Sequence, residues 1–292
     1  MSYFDLSIII IYLSIIFFVG IKTRKYISSF SDFMVANRNV SLSLSVVTML
    51  GTELGLITVM YNAQTGINGL FSAFHIGLAA FIVTMCIGLT GFVVVKLREL
   101  KVKSIPEYYN LRFGAKTRIL GAILLCLGGI LNMGLFLKVG AVFIQSVFGL
   151  DADDNIITVI MLCLLILVLV YTILGGMVSV IVTDYIQYIV LSISFMLCIF
   201  YSIKTLGWNN IFNSLETIMI QSNKNIDNYN INSIYNPIEK MGGAYISWQV
   251  VLGFVSAVVW PTAITRVLSI ESAGLVKKQY IWSSFSFLIR FI

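Results

Sequence analysis

Residues 41 to 58 read Ser41-Leu-Ser-Leu-Ser45-Val-Val-Thr48-Met-Leu-Gly51-Thr52-Glu53-Leu54-Gly55-Leu-Ile-Thr58. The stretch is apolar enough to enter a bilayer, yet it holds a carboxylate between two glycines near the centre of the run. An acidic side chain at the midplane costs about 2.5 to 3.5 kcal/mol on insertion scales, so it faces a protein-lined cavity, a cation or a basic partner rather than lipid. Gly51 and Gly55 weaken the helix on either side. An unwound turn there releases main-chain carbonyls, the oxygen donors that a small hard cation takes. A protonated, purely structural Glu53 is the simpler alternative and stays open on the sequence.

Outward from this stretch, composition agrees with a membrane setting. Of 292 residues, 59% are hydrophobic and 11% charged, and the mean hydropathy is +0.96. Soluble domains carry about a quarter charged residues, so this chain has too little charge to coat a water-facing surface. A spanning helix needs about 20 mainly apolar residues. Eight such runs emerge, at 3–21, 41–63, 70–95, 119–148, 156–174, 178–203, 246–265 and 280–292, the last incomplete. The first reads as a retained helix rather than a cleaved signal, because no basic residue precedes it and Lys22, Arg24 and Lys25 follow. The last supplies 13 residues including Arg290. Such a helix rises about 20 Å against a hydrocarbon core of about 30 Å, and the expectation is a fragment of a longer transporter-like protein.

Charge sets orientation. Lys22, Arg24, Lys25 and Arg38 follow the first run; Lys96, Arg98, Lys101, Lys103, Arg112, Lys116 and Arg118 follow the third; Arg266, Lys277 and Lys278 follow the seventh. The opposite loops hold Lys204, Lys224 and Lys240, and the turn at Asp151, Asp153 and Asp154 is acidic. Positive loops stay in the cytoplasm, so the chain is expected in the cytoplasmic membrane with its N-terminus outside. The net charge of +6 is accounted for by these loops and implies no nucleic-acid partner.

Residues 204–245, rich in Asn, read as an extracellular loop, either a solvated connector or a lid. Ser104 followed by Ile105-Pro106-Glu107 predicts a short surface helix on the cytoplasmic side. Cys86, Cys126, Cys163 and Cys198 lie far apart in apolar runs, and His75 is the single histidine. No disulfide framework, metal centre or hydrolytic triad is readable from these, and no enzyme is expected.

Further motifs occur at spans and loops in a fixed order. They are Asp32-Phe33-Met-Val-Ala36-Asn37-Arg38-Asn39; the broken second span continuing to Tyr61 and Gly66; Ile105-Pro106-Glu107-Tyr108 with Arg112-Phe113-Gly114; Tyr171-Thr172-Ile-Leu-Gly175-Gly176; and Thr183-Asp184-Tyr185-Ile186-Gln187. In this order they resemble the sodium:solute symporter family, carriers of proline, sugars, pantothenate, sialic acid and similar small solutes. The resemblance covers essentially the whole chain. It departs from the family pattern at Asn37, where glycine is usual, and at Glu53, where proline carriers have aspartate.

The resemblance implies an all-α polytopic membrane protein with two inverted five-helix repeats behind an extra N-terminal helix. Residues 1–40 would be that helix and its loop, 41–203 the first repeat, 204–245 the extracellular loop, and 246–292 the start of a truncated second repeat. It also implies sodium-coupled symport of a small organic solute by alternating access, with Na+ as coupling ion. Main-chain carbonyls of Gly51 and Leu54 would bind sodium, with Asp184 completing a second ion position. For Asp184 the residues alone also allow a carboxylate placed to meet a helix dipole.

The seventh run, Trp248 to Arg266, has Gly253 and Ser256 mid-span and Trp260-Pro261 near its inner end, the pattern of a second discontinuous helix or of a proline-kinked structural one. With Glu53, Thr52 and Thr58, residues Gly253, Ser256 and Trp260 are the candidate cavity residues. Lys138, inside the fourth run, either snorkels to the interface or pairs with a cavity carboxylate. The transporter-like membrane module of a sensor protein is the alternative reading of the whole.

Overall fold

The computed structural model describes residues 3–151, 153–222 and 236–289. Asn223, Asn225, Asn228, Asn230, Lys224 and Arg290 lie outside the described residues. Among the described residues fourteen α-helices follow in order. They are α1 (Tyr3–Lys22), α2 (Phe30–Val35), α3 (Leu42–Glu53), α4 (Leu56–Gly69), α5 (His75–Thr90), α6 (Val94–Glu99), α7 (Ile105–Phe113), α8 (Ala115–Phe148), α9 (Asp154–Leu206), α10 (Trp208–Ser222), α11 (Pro237–Met241), α12 (Gly243–Val259), α13 (Pro261–Ser269) and α14 (Ala273–Ile289). Among the described residues the only extended pairing is a parallel bridge between Val40 and Ile270.

The eight expected runs map onto this order. Three stretches, in α1, α8 and the second part of α9, are long and apolar enough to cross a bilayer, and the bent pairs α3/α4 and α12/α13 each pass when taken together. His75–Thr90 and Asp154–Val170 are shorter apolar helices. α8 leaves Ile119, Leu120, Leu127, Leu131 and Leu135 exposed, a surface that suits hydrocarbon and not water, and Lys138 is exposed on the same helix. The chain is a multi-pass membrane protein.

α9 contains two of these runs, separated at Gly176 (φ 48°, ψ −149°), a conformation open to glycine alone. Contacts fix the direction of each arm. Leu13 to Phe17 lie beside Cys163 to Val170, and a Cβ at Gly175 would come within 2.9 Å of the Gly20 carbonyl. Beyond the turn, Met177 and Ile181 pack on Val40, and Asp184 lies against Gly51. The first arm therefore runs with α1 and the second with α3, so the chain reverses at the glycine pair. Any side chain at Gly176 would meet Phe33 of α2 at 2.6 Å.

Most basic loop residues gather at the end of the bundle where this reversal occurs, called here the basic end. Val40 receives the Glu271 N–H at 3.1 Å and donates its own to Ser269 at 3.2 Å. Arg98 donates Nε to the Ile270 carbonyl at 2.7 Å and Nη2 to that of Glu271 at 2.8 Å. Arg38 donates to the Lys101 carbonyl. The principal core lies beneath, formed by Val94, Leu97, Ile264, Val267, Leu268 and Tyr280 with their neighbours. The expected surface helix is present as α7, with Ser104 as N-cap and Pro106 in its first turn.

Two expectations change. The stretch 204–245 is not an open loop where it is described: α10 and α11 occupy its flanks, and Phe212 of α10 stacks on Phe71 with ring centroids 4.8 Å apart. The last helix begins at Ala273, not at 280. Its early turns carry Lys277, Lys278 and Gln279 and look like loop in sequence. Burial decides otherwise: Gln279, Tyr280, Ser283 and Ser284 are fully buried, and Gln279 donates to the Ser45 carbonyl at 3.2 Å. Close approach of α5 and α14 rests on Gly88, where a Cβ would sit 2.9 Å from the Ile281 nitrogen.

Candidate functional site

The first break lies between α3 and α4, whose axes diverge by 61°. Leu54 leaves the helix at φ −98°, ψ 80°, and Gly55 is extended. The last carbonyls of a helix have no partner within it. Here Leu50 still accepts from the Leu54 N–H at 3.0 Å, and the Glu53 carbonyl accepts from the Thr58 hydroxyl at 2.9 Å. The break takes the carbonyls of Gly51, Thr52 and Leu54 out of the helical ladder.

The second break divides α12 from α13 by 47°. Pro261 has no N–H to give the Ala257 carbonyl one turn back. The Tyr280 hydroxyl, from α14, donates to that carbonyl instead at 2.9 Å. Trp260 sits at the break itself with extended backbone.

Between the two breaks lies a cavity of about 340 Å³ lined by Glu53, Gly253, Ser256 and Trp260, together with Val83 and Phe287. Four of the six expected cavity residues are thus brought together. The other two turn elsewhere. Thr58 caps the Glu53 carbonyl, and Thr52 donates to Thr48 O at 2.7 Å and reaches Asp184 at 3.2 Å.

Asp184 is the centre of a second group. Its Oδ2 accepts from the Thr48 hydroxyl at 2.5 Å, from Thr52 at 3.2 Å and from Arg266 Nη2 at 3.0 Å. The Asp184 and Arg266 side chains are 10% and 8% exposed. Gly51 lets α3 approach α9 here, since a Cβ on it would lie 3.0 Å from the Asp184 carbonyl oxygen. Of the three residues read as sodium ligands, Gly51 and Asp184 therefore meet where α3 packs on α9, and Leu54 lies at the break that ends α3. The Asp184 carboxylate and the Thr48 and Thr52 hydroxyls are oxygen donors of the kind that hard cations take.

Thr48 and Arg266 were not read as site residues in the sequence. Thr48 repeats the Thr52 face one turn earlier. Arg266 looks like one more basic loop residue, and its signal was its apolar company, Ile264, Val267 and Leu268, all buried in α13. A buried guanidinium demands a partner.

Toward the end opposite the basic one, α4 and α12 meet again. The Tyr61 and Tyr245 hydroxyls are 2.9 Å apart beside a polar cavity of about 400 Å³ that Gln64, Thr65 and Asn68 also line. At the basic end, Asp32 accepts from the hydroxyls and N–H groups of Ser28 and Ser29 at 2.8 to 3.1 Å. Those donors, the Ser29 and Ser28 hydroxyls foremost, hold its carboxyl below the usual aspartate range. Burial, aided by the nearby charge of Arg38, lowers Arg98 from its usual value. Asn37, where the family has glycine, adopts φ 49°, ψ 18°, a left-handed position that asparagine tolerates best after glycine.

Comparison with known proteins agrees with this geometry. The chain is 28% identical over 241 residues to solute carrier family 5 member 4A of Mus musculus, covering 80% of this chain and 35% of that one. It is 26% identical over 174 residues to a putative sodium-dependent multivitamin transporter of Drosophila melanogaster, covering 58% and 26%. It spans about a third of the length of the relatives it matches. The fold aligns with a substrate-bound, outward-open Na+-coupled sialic acid symporter at a TM-score of 0.64 and 17% identity, over 99% of this chain and 71% of that one. With the sodium:solute symporter family matching residues 33–292, the chain belongs to that family.

Proposed function

We propose that this chain supplies the ion and solute sites of a sodium-coupled symporter working by alternating access in the cytoplasmic membrane, with its N-terminus outside. One observation carries the reading: two interrupted helices, α3/α4 and α12/α13, line a single cavity, while Asp184 packs against Gly51 within a turn of the first break. Discontinuous helices at corresponding repeat positions mark substrate and ion sites in transporters of this construction. Residues 41–203 act as the first repeat and 246 onward as the second, behind the extra helix of residues 1–40 and joined through 204–245.

Sodium binds at the Gly51 and Leu54 carbonyls and at Asp184. A small solute occupies the cavity, where Glu53 is the one charged residue among those lining it and Trp260 offers an aromatic face. A solute with a cationic or strongly donating group suits that pair. Uptake into vesicles by the full-length protein, with the membrane potential clamped and no proton gradient, is expected to stop when sodium is replaced by potassium. Uptake that continues unchanged overturns the proposal.

A further inference from the structure

The Asp184 site already contains a cation, and it belongs to the protein. We infer that Arg266 is a tethered substitute for sodium: its guanidinium holds Asp184 while the ion position is empty, and sodium binds there by displacing it. The inference rests on the sodium reading above and adds a competitor to it.

Three observations carry it. The first is shared geometry. Arg266 Nη2, Thr48 and Thr52 all converge on the same carboxylate oxygen, Oδ2. A cation bound to that oxygen and the two hydroxyls takes the place of the guanidinium, and the two cannot both sit there.

The second is incomplete engagement. Arginine–carboxylate pairs frequently present the fork to both carboxylate oxygens, the stronger arrangement. Arg266 instead offers one nitrogen to Asp184, turns Nη1 to its own helix at Thr262 O (3.1 Å) and Thr265 Oγ1 (3.4 Å), and leaves Nε buried without a partner. Its alternative partners are in place on α13, so release from Asp184 does not strand the charge without acceptors.

The third is position. The pair joins α9 to α13, which follows the second break, and it is the only ion pair among the described residues that links separate helices. A buried carboxylate without a counter-charge is costly, so the ionised Asp184 calls for one cation or the other. Sodium binding and release of the Arg266 tie between α13 and α9 are then one event. This gives the ion a direct hold on α13, the arm beyond the second break, whose Ala263 lines the solute cavity.

The test uses the full-length protein, purified and also reconstituted, with sodium exchanged for choline at constant ionic strength. Two readouts are titrated with sodium, the thermal unfolding midpoint and solute uptake. Removing the competitor in Arg266→Gln is expected to lower the sodium concentration for half-maximal stabilisation by about tenfold or more, because a charge-assisted hydrogen bond no longer opposes the ion. Without sodium this variant unfolds at a lower temperature than the parent, and sodium restores it. In Asp184→Asn the sodium response weakens, and adding Arg266→Gln to it changes nothing further.

A midpoint lowered equally at every sodium concentration, with an unchanged half-maximal value, makes the pair purely structural and overturns the inference. Should Arg266→Gln not fold, Arg266→Lys decides in its place, since a shorter point charge competes less well: a lowered half-maximal value supports the inference and an unchanged one overturns it. Parent uptake indifferent to sodium overturns the transport reading instead, while the thermal comparison of parent and variant still decides the role of Arg266.

Discussion

Glu53 ends α3, its carbonyl capped by Thr58 and its side chain at the cavity wall. Glu53→Gln keeps the shape and removes the charge. A charge-assisted contact is worth about 1.5 to 3 kcal/mol, and 1.4 kcal/mol is a factor of about ten. The half-saturation for sodium or solute is therefore expected to rise about tenfold to a hundredfold, and a variant matching the parent across pH removes Glu53 from the site. Asp32 makes a separate prediction. Hydrogen bonds to its ionised form lower its folded pKa from an unfolded value of about 3.9. Its contribution is complete above that value and is lost as pH falls through the lower folded one. Protection of the α2 amides, taken relative to the intrinsic exchange rate at each pH, is expected to fall only below about pH 4, whereas Asp32→Asn lowers it already at neutral pH; parent protection that falls steadily from pH 7 refutes this. At this scale Glu53 and Asp184 were legible because a carboxylate in an apolar run is conspicuous. Arg266 was not, because a basic residue at the edge of a span has an ordinary explanation in the loops.

The helices show how each interruption is repaired. Tyr280→Phe leaves the Ala257 carbonyl without its donor and is expected to cost about 1 to 3 kcal/mol. Pro261→Ala restores a helical N–H for the same carbonyl, so the double variant should regain part of that loss; strictly additive thermal midpoints across the four proteins would show that the two residues do not share the carbonyl. Gly176→Ala places a methyl against Phe33 in a conformation reserved for glycine. The backbone alone costs about 1 to 3 kcal/mol, and a variant unfolding with the parent contradicts this. The breaks in α3/α4 and α12/α13 could be read in advance because glycine and proline act locally. The start of α14 could not, because its polar first turns are helical only through burial against α3 and α5. α10 was hidden similarly: its polar face reads as loop until Phe212 is placed on Phe71.

Across the whole molecule, the basic end ties the residue that leads into α3 to the end of α13 through the Val40–Ile270 bridge, with Arg98 of α6 holding the same segment. Arg98→Ala removes two charge-assisted bonds, each worth about 1.5 to 3 kcal/mol. Faster hydrogen exchange at residues 269–271, with the α3/α4 break unchanged, is the expected result; equal exchange in variant and parent would mean that the bridge alone holds this end. The pairing of Asp184 with Arg266 has a further consequence, for biosynthesis. The partners lie 82 residues apart in the chain, and ribosomes add about 5 to 20 residues per second, so roughly 4 to 16 seconds separate them. For that interval the nascent second part of α9 must enter the bilayer with an aspartate whose guanidinium has not yet been made. The apolar residues around it have to carry the insertion alone, and the arrival of α13 relieves a charge that has waited in the membrane for its partner.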